Sequence, residues 1–162
     1  MKVYQYKDYD EYVKTQTEAN KEKHNWCFIT PRIAQGIIAA QKIVGSIICH
    51  GTRAGGEQHL FRKELPYANI VGTEIAEGCE KYPMTVQWDM QEPKKEWIDQ
   101  LTPTGSLYIE YSEQQSNGSA HDPLDATMDE VASLMRYSGL VVNVMNGLRG
   151  KSNSIILRGK SL

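Results

Sequence analysis

After Gly45, short runs of β-branched and aliphatic residues alternate with polar or glycine-rich turns, and this alternation constrains the fold more than any other feature. The runs predict six strands, at 46–50, 69–74, 85–89, 106–111, 141–145 and 154–158. Segments of helical character, a helix at 56–63 and a short turn or helix at 76–80, separate the first three strands. Strands that alternate with helices form right-handed βαβ units, so we expect an α/β fold whose parallel sheet is buried on both faces.

Two helices are expected before the first strand. Tyrosine and valine side chains recur at spacings of two to four residues over 8–23, which is typical of a surface helix that covers a core. Thr30 followed by Pro31 is a helix N-cap signal, and isoleucines follow at helical spacing. We therefore expect residues 1–44 to form a helical cover over residues 45–162, within a single domain overall.

The last part of the chain predicts a helix and a hairpin. Residues 125–137 are expected to be helical, because Thr127 and Glu130 match a capping box. Val131, Leu134 and Met135 are expected to face inward. A loop rich in turn residues joins the last two predicted strands. An antiparallel hairpin at the edge of the sheet is the expected arrangement.

Charge and cysteine content exclude several classes of function. The 162 residues include 18 Lys+Arg and 20 Asp+Glu, a net charge of -2, which gives no electrostatic footprint for nucleic acid or an acidic membrane. Cys27, Cys49 and Cys79 lie too far apart for a zinc motif, and the first residues lack the apolar segment of a secretory signal. We therefore expect a cytoplasmic protein that binds no metal, nucleic acid or membrane and whose partner is a small molecule.

A candidate ligand site lies where the first three predicted strands end. The first strand runs into a glycine-rich turn at 51–56, which lets a ligand approach the backbone and the N–H groups of the next helix. Glu74 closes the second strand and Asp89 the third. Because the carboxyl ends of adjacent parallel strands meet at one edge, we expect these groups to face one crevice. A tight turn between a strand and a helix also needs glycine for steric reasons, so the turn alone is a weak signal.

Arg53 within this turn has two interpretations. It occupies the second glycine position of the dinucleotide-binding pattern, where its bulk hinders the approach of a pyrophosphate and so argues against NAD. Its guanidinium can pair with a carboxylate of the ligand, or it can form an ion pair with Glu57 or Glu64. The sequence leaves both interpretations open.

Three segments resemble the first three motifs of class I S-adenosylmethionine-dependent methyltransferases: 51–55 (GTRAG), 71–75 (VGTEI) and 86–90 (VQWDM). The terminal hairpin is similar to the reversed last strand of that family, and the similarity covers about residues 45–159. The resemblance implies a Rossmann-like three-layer α/β sandwich, with a mostly parallel sheet and an antiparallel C-terminal hairpin.

The resemblance also implies a site for S-adenosylmethionine. The residues that match it are Gly51, Thr52, Arg53, Gly55, Glu74, Ile75, Asp89 and Met90. By resemblance, the glycine turn would hold the methionine part of the cofactor, Glu74 the ribose hydroxyls and Asp89 the adenine amino group, with Ile75 and Met90 beside the ring. Two positions depart from the family pattern, which has an acid in place of Cys49 and a glycine in place of Arg53.

One strand of that family is missing from the prediction. Sixteen residues lie between Asp89 and Ser106, and this length fits a single helix, at 94–101. The family has a fourth strand here, which usually supplies the residues nearest the transferred methyl group, so the fold is shortened by about one strand and one helix. Three outcomes are open. The strand at 106–111 fills the vacant position with Glu110 and Tyr111 at its catalytic end, a partner subunit completes the sheet in a homo-oligomer, or no methyl group is transferred.

These observations lead to two hypotheses of different classes. The first is a methyltransferase-like protein that acts on a small molecule, with its transfer activity intact, reduced or lost, and without an identified catalytic residue. The second is a non-catalytic cofactor-binding or interaction module derived from the same fold. A nucleotide- or NAD-binding protein that uses the same crevice is a weaker third.

Overall fold

The computed structural model of the protein describes residues 2–22, 27, 29–41, 44–89, 101–111, 124–149 and 155–161. Met90 and the predicted helix at 94–101, apart from Leu101, lie outside these residues. The chain divides into two compact units, which we call the parallel unit (Tyr6–Met90) and the antiparallel unit (Met1–Gln5 with Gln91–Leu162). Each is described by itself.

The described elements, in chain order, are β1 (Lys2–Val3), α1 (Tyr9–Glu22), α2 (Pro31–Ala40), β2 (Ser46–His50), α3 (Gly56–Glu64), β3 (Asn69–Glu74), a 3-10 turn (Cys79–Lys81), β4 (Thr85–Gln87), β5 (Ser106–Tyr111), β6 (Leu124–Asp125), α4 (Met128–Tyr137), β7 (Leu140–Arg149) and β8 (Ile155–Ser161). The predicted bounds of β2, β3 and β5 are confirmed, and β4 ends two residues before its predicted end. None of the helices among the described residues has the length and apolar character needed to cross a membrane.

The parallel unit is built on a three-stranded parallel sheet in the order β2-β3-β4. Its two N-terminal helices match the prediction closely, and α2 begins at Pro31 because the hydroxyl of Thr30 accepts a hydrogen bond from Ile33 N. The expected burial of both faces of the sheet is wrong at Ile48 and Val86, which are 44% and 54% exposed. Helix α3 packs on the opposite face, through Gln58.

Gln58 fixes α3 to the sheet. Its side chain is fully buried, and its Nε2 donates to the carbonyl oxygen of Met84 at 3.0 Å, while its Oε1 accepts from the hydroxyl of Thr85 at 3.3 Å. Gly72 makes room for this amide, because a Cβ atom at Gly72 would lie 2.5 Å from Gln58 Cδ. The glycine in β3 is therefore required by the close approach of a neighbouring side chain.

The antiparallel unit contains a sheet in the order β5-β8-β7, in which β8 runs against both neighbours. The predicted hairpin is confirmed as β7 and β8, and β7 extends four residues beyond its predicted end, to Arg149. A separate pair is formed by β1 and β6. In the three-stranded sheet, β8 thus lies between β5 and β7, which are parallel to each other.

Helix α4 covers one face of this antiparallel sheet. The predicted capping box is confirmed, since the hydroxyl of Thr127 accepts from Glu130 N and the carboxylate of Glu130 accepts from Thr127 N. Met135 is buried against Leu140. The prediction that Leu134 faces inward is wrong: its side chain is 44% exposed, because the buried face is centred on Val131, Ala132 and Met135 and Leu134 lies on its flank.

The mixed α/β composition is confirmed, but the described strands do not form the one mostly parallel sheet that was predicted. β5 pairs with β8 from Ser106↔Lys160 to Tyr111↔Ile155 in a separate antiparallel sheet. This six-residue ladder satisfies the backbone groups of β5 on that side. The described ladder of β2 is with β3 alone. Of the three open outcomes, the described ladders therefore do not support the one in which the strand at 106–111 fills the vacant position.

Replacing Gly72 by alanine should destabilise the parallel unit by about 1–3 kcal/mol, because the new methyl group overlaps the buried amide of Gln58. The measurement is urea unfolding followed by tryptophan fluorescence. Gly45→Ala is the matched control, since a Cβ atom there meets nothing within 4 Å, and its effect should stay within about 0.5 kcal/mol. Equal unfolding midpoints for the two variants would contradict the packing of Gln58 under Gly72.

Candidate functional site

The turn between β2 and α3 is folded by three residues in the left-handed region. The φ angles of Gly51, Arg53 and Gly55 are +64°, +48° and +78°. The N–H groups of Gly51 and Thr52 both donate to the carbonyl oxygen of Thr73, at 2.8 and 3.2 Å, and Gly55 N donates to Thr52 O at 2.7 Å. A left-handed arginine is uncommon, so the surrounding bonds must hold this conformation.

Glu74 supplies the principal bond to that turn. Its Oε2 accepts from Arg53 N at 2.8 Å, and its Oε1 accepts from Ile75 N at 2.8 Å and from Ala76 N at 3.2 Å. The side chain is only 4% exposed. Each carboxylate oxygen has two lone pairs, so Oε1 is fully used and Oε2 keeps one acceptor position. Glu74 can therefore accept from one ligand hydroxyl, and a second ribose hydroxyl would have to displace a backbone amide.

Asp89 lies two residues beyond the end of β4 and is half-buried. The N–H of the preceding residue, Trp88, donates to the carbonyl oxygen of Glu74 at 3.0 Å, which draws the end of this segment toward β3. Burial raises the pKa of Tyr12 to about 12, and the negative charges of Asp89 and Glu74 add to the shift. The two carboxylates therefore lie near one tyrosine of α1, at the same edge of the sheet.

Helix α1 covers the residue expected beside the adenine ring. Ile75 is 5% exposed, because Tyr12 and Val13 pack against it, with Tyr6 next to them. These side chains form a small apolar cluster at the carboxyl edge of the sheet. In this arrangement the side chain of Ile75 is in contact with the protein's own helix.

Two polar contacts hold the second half of α1 to the same edge. The hydroxyl of Thr17 accepts from Glu77 N at 3.2 Å, in the loop after β3. Asn20 Oδ1 accepts from Arg53 Nε at 3.3 Å, so α1 also binds the glycine turn. Each such bond contributes about 0.5–1.5 kcal/mol to stability.

A cavity of about 120 Å³ lies between α1 and the loop after β3. It is lined by Thr17, Asn20, Lys21, Arg53, Glu74, Ala76, Glu77, Gly78, Cys79, Lys81 and Tyr82. Pockets for small-molecule ligands are commonly about 300–1,000 Å³. With α1 in this position, the cavity is therefore smaller than a typical pocket for a small-molecule ligand.

The guanidinium of Arg53 lies among carboxylates at this cavity. Burial lowers the pKa of Arg53, and the charges of Glu57 and Glu74 oppose that shift. Of the two ion-pair partners considered from the sequence, Glu57 is thus the one that acts on Arg53. Its hydrogen bond to Asn20 was not predicted, because the sequence pattern identified 8–23 only as a surface helix.

His50, at the end of β2, is a further group near the turn. Its Nδ1 lies 2.8 Å from the hydroxyl oxygen of Thr73, and its ring lies 5.3 Å from that of Trp88. Burial lowers the pKa of His50, which favours the neutral imidazole. Within the described ranges, no three His, Cys, Asp or Glu side chains are grouped in a way that suits a metal ion.

The structure thus brings together Gly51, Thr52, Arg53, Gly55 and Glu74 through hydrogen bonds. It places Ile75 under α1, and it places Asp89 close enough to influence Tyr12. Met90 lies outside the described residues. The assignment of these residues to a cofactor stays a prediction. The contribution of α1 was missed, because its contacts join residues 33 and 60 positions apart in the chain.

Comparison with known proteins identifies no family for this chain. No family model matches it, and no curated protein matches it. Fifteen solved chains are similar in structure. Among them, the crystal structure of TnmH is 12% identical in sequence with a TM-score of 0.49, and the match covers 82% of this chain and 55% of that one. The chain therefore spans little more than half the length of that structure.

Replacing Glu74 by alanine should lower the free energy of unfolding by roughly 2–4 kcal/mol, because three backbone N–H groups lose their acceptor and a buried unsatisfied donor costs about 1–3 kcal/mol. Urea unfolding measures the change. The matched control is Glu18→Ala, an exposed glutamate of α1. A Glu74→Ala variant as stable as the control would show that this carboxylate does not hold the turn.

Tyr12 makes the stability of the parallel unit sensitive to alkaline pH. Its pKa is about 12 in the folded state against 10.0 for an ordinary tyrosine, so the fold favours the protonated form. Its contribution is fully present below pH 10 and is lost as pH rises toward 12. The free energy of unfolding should therefore fall less steeply over this window in Tyr12→Phe than in the wild type, as measured by urea unfolding at successive pH values.

The control for this pH dependence is Tyr67→Phe, since Tyr67 is 99% exposed, and its slope should equal that of the wild type. The thiols of Cys49 and Cys79, whose pKa values burial raises to about 12 and about 11, add a loss that begins near pH 9 in all three proteins. Identical slopes for Tyr12→Phe and the wild type would rule out the burial of the Tyr12 hydroxyl.

Proposed function

We propose that the parallel unit binds S-adenosylmethionine at the carboxyl edge of its sheet, and that the protein is methyltransferase-like and acts on a small molecule. The observation that carries the proposal is the 2.8 Å hydrogen bond between Arg53 N and Glu74 Oε2. It joins the glycine turn after the first strand of the sheet to the acid that closes the second. These are two of the three features from which the sequence predicted a ligand site, and the third is Asp89.

The order of the strands supports a Rossmann-like arrangement for this unit. β2, β3 and β4 lie side by side in chain order and are parallel, which is the arrangement of one half of a doubly wound sheet. In such sheets a ligand binds beyond the carboxyl ends of the strands. The turn at 51–55, Glu74 and Asp89 all follow carboxyl ends of these strands.

Three groups at this edge suit an adenosine-bearing ligand. The hydroxyl of Thr52 is buried without a hydrogen-bond partner among the described atoms, which is costly unless a ligand or water satisfies it. Glu74 Oε2 keeps one acceptor position for a ribose hydroxyl, and the Asp89 carboxylate can accept from the adenine amino group. S-adenosylmethionine would supply a methyl group activated by its positive sulfonium, and the chain's task is to bind and align it.

A second candidate function is a non-catalytic cofactor-binding or interaction module. The size of the cavity, about 120 Å³, favours the interaction module, because the cavity is smaller than the pockets that usually hold a complete cofactor. The two candidate functions differ in whether the protein transfers a methyl group. Incubation with labelled S-adenosylmethionine and a metabolite extract separates them: a labelled product supports the methyltransferase, and binding without any product supports the module.

Calorimetric titration of the purified chain with S-adenosylmethionine, S-adenosylhomocysteine and NAD tests the ligand. We expect the first two to bind and NAD not to bind. Replacing Asp89 by alanine should weaken S-adenosylhomocysteine binding by about 1–3 kcal/mol, because the adenine amino group loses a charged acceptor. Asp129→Ala, an exposed aspartate of α4, is the control and should bind as the wild type does. Binding of NAD alone, or unchanged affinity in Asp89→Ala, would overturn the assignment.

A further inference from the structure

Helix α1 occupies the edge of the sheet that the proposed ligand needs. Its first half buries Ile75 under Tyr12 and Val13, and its second half binds Glu77 through Thr17. The cavity that is left between α1 and the loop after β3 is about 120 Å³. Tyr12 and Val13 of α1 pack on Ile75 and Asn20 binds Arg53, so a ligand that contacts Ile75 and Arg53 competes with α1 for them.

The attachment of α1 differs in kind from that of the glycine turn. The turn is bound to β3 by backbone hydrogen bonds, from the N–H groups of Gly51 and Thr52 to Thr73. Among the described residues, α3 packs against β3 and α2, whereas α1 has no extensive contact with another helix or strand. Its contacts are made by side chains. Segments held in this way open locally at lower free energy than the strands of a core sheet.

We infer that α1 gates this site: S-adenosylmethionine binds only after α1 has moved away from Ile75, Glu77 and Arg53. The inference rests on the function proposed above. The closed arrangement competes with the ligand for the same groups, since Asn20 holds the Arg53 guanidinium and Tyr12 covers Ile75. The apparent dissociation constant then equals the intrinsic one divided by the fraction of molecules in which α1 is open.

The first test measures binding rates. S-adenosylhomocysteine is mixed with the protein in a stopped-flow instrument, and tryptophan fluorescence is followed. In the wild type the observed rate should level off at high ligand concentration, because the opening of α1 becomes limiting. Val13→Ala and Thr17→Ala weaken two separate contacts of α1, so each should raise this plateau and tighten apparent binding by about 2- to 10-fold. Lys14→Ala, an exposed residue of the same helix, should change neither.

The second test needs no ligand. Hydrogen exchange in the free protein should show the amides of residues 12–22 exchanging faster than those of β2 and β3. Val13→Ala should accelerate only the amides of α1. If α1 is as protected as the sheet, or if Val13→Ala loosens both together, α1 does not open separately and the gate is overturned.

The two tests separate failure of the gate from failure of the proposed function. A binding rate that rises linearly with concentration, with the same slope in the wild type, Val13→Ala and Thr17→Ala, overturns the gate and leaves the cofactor assignment standing. If no variant binds S-adenosylhomocysteine although α1 exchanges ahead of the sheet, the cofactor assignment is wrong, and α1 is then no gate for that ligand.

Discussion

The buried carboxylate of Glu74 determines the shape of the whole candidate site. A charged group that is 4% exposed is tolerated only when hydrogen bonds replace its hydration, and here three backbone amides do so. One of the three belongs to Arg53, whose left-handed backbone directs its N–H to the carboxylate. The acid that the resemblance assigns to the ribose therefore also fixes the turn that would hold the rest of the cofactor. The two roles draw on the same four lone pairs, and the fold already uses three of them.

Local signals in the sequence predicted much of the secondary structure. β2 and β3 have their predicted bounds, because short aliphatic runs between turn residues define a strand without help from the rest of the chain. The start of α2 at Pro31 and the capping box of α4 were predicted for the same reason: the groups that satisfy a helix N-terminus lie within three residues of it. The sequence left the partner of β5 open. Its ladder with β8 joins residues about 50 positions apart. Local sequence patterns do not determine which two strands pair over such a separation.

In the candidate site, too, local features were predicted from the sequence and tertiary contacts were not. Sequence spacing identified the glycine turn and the two carboxylates as members of one edge, and the bond between Arg53 and Glu74 brings the first two together. Sequence spacing could not predict the position of α1 at this edge. Thr17 and Asn20 are polar residues on a helix with many charges, and such residues are usually solvated. Only their tertiary contacts, with Glu77 and Arg53, distinguish them from surface residues.

Arg53 takes part both in the glycine turn and in the attachment of α1. From the sequence, its guanidinium had two alternative partners, a carboxylate of the ligand or a neighbouring glutamate. The structure adds a third, since Asn20 of α1 accepts from its Nε, while the charge of Glu57 acts on it from α3. In the gate inferred for α1, these partners belong to different states of the protein: Asn20 holds the guanidinium when α1 covers the edge, and the ligand carboxylate replaces Asn20 when α1 has moved. The same side chain would then both stabilise the closed form and bind the cofactor in the open form, so tighter packing of α1 and tighter cofactor binding oppose each other in this fold.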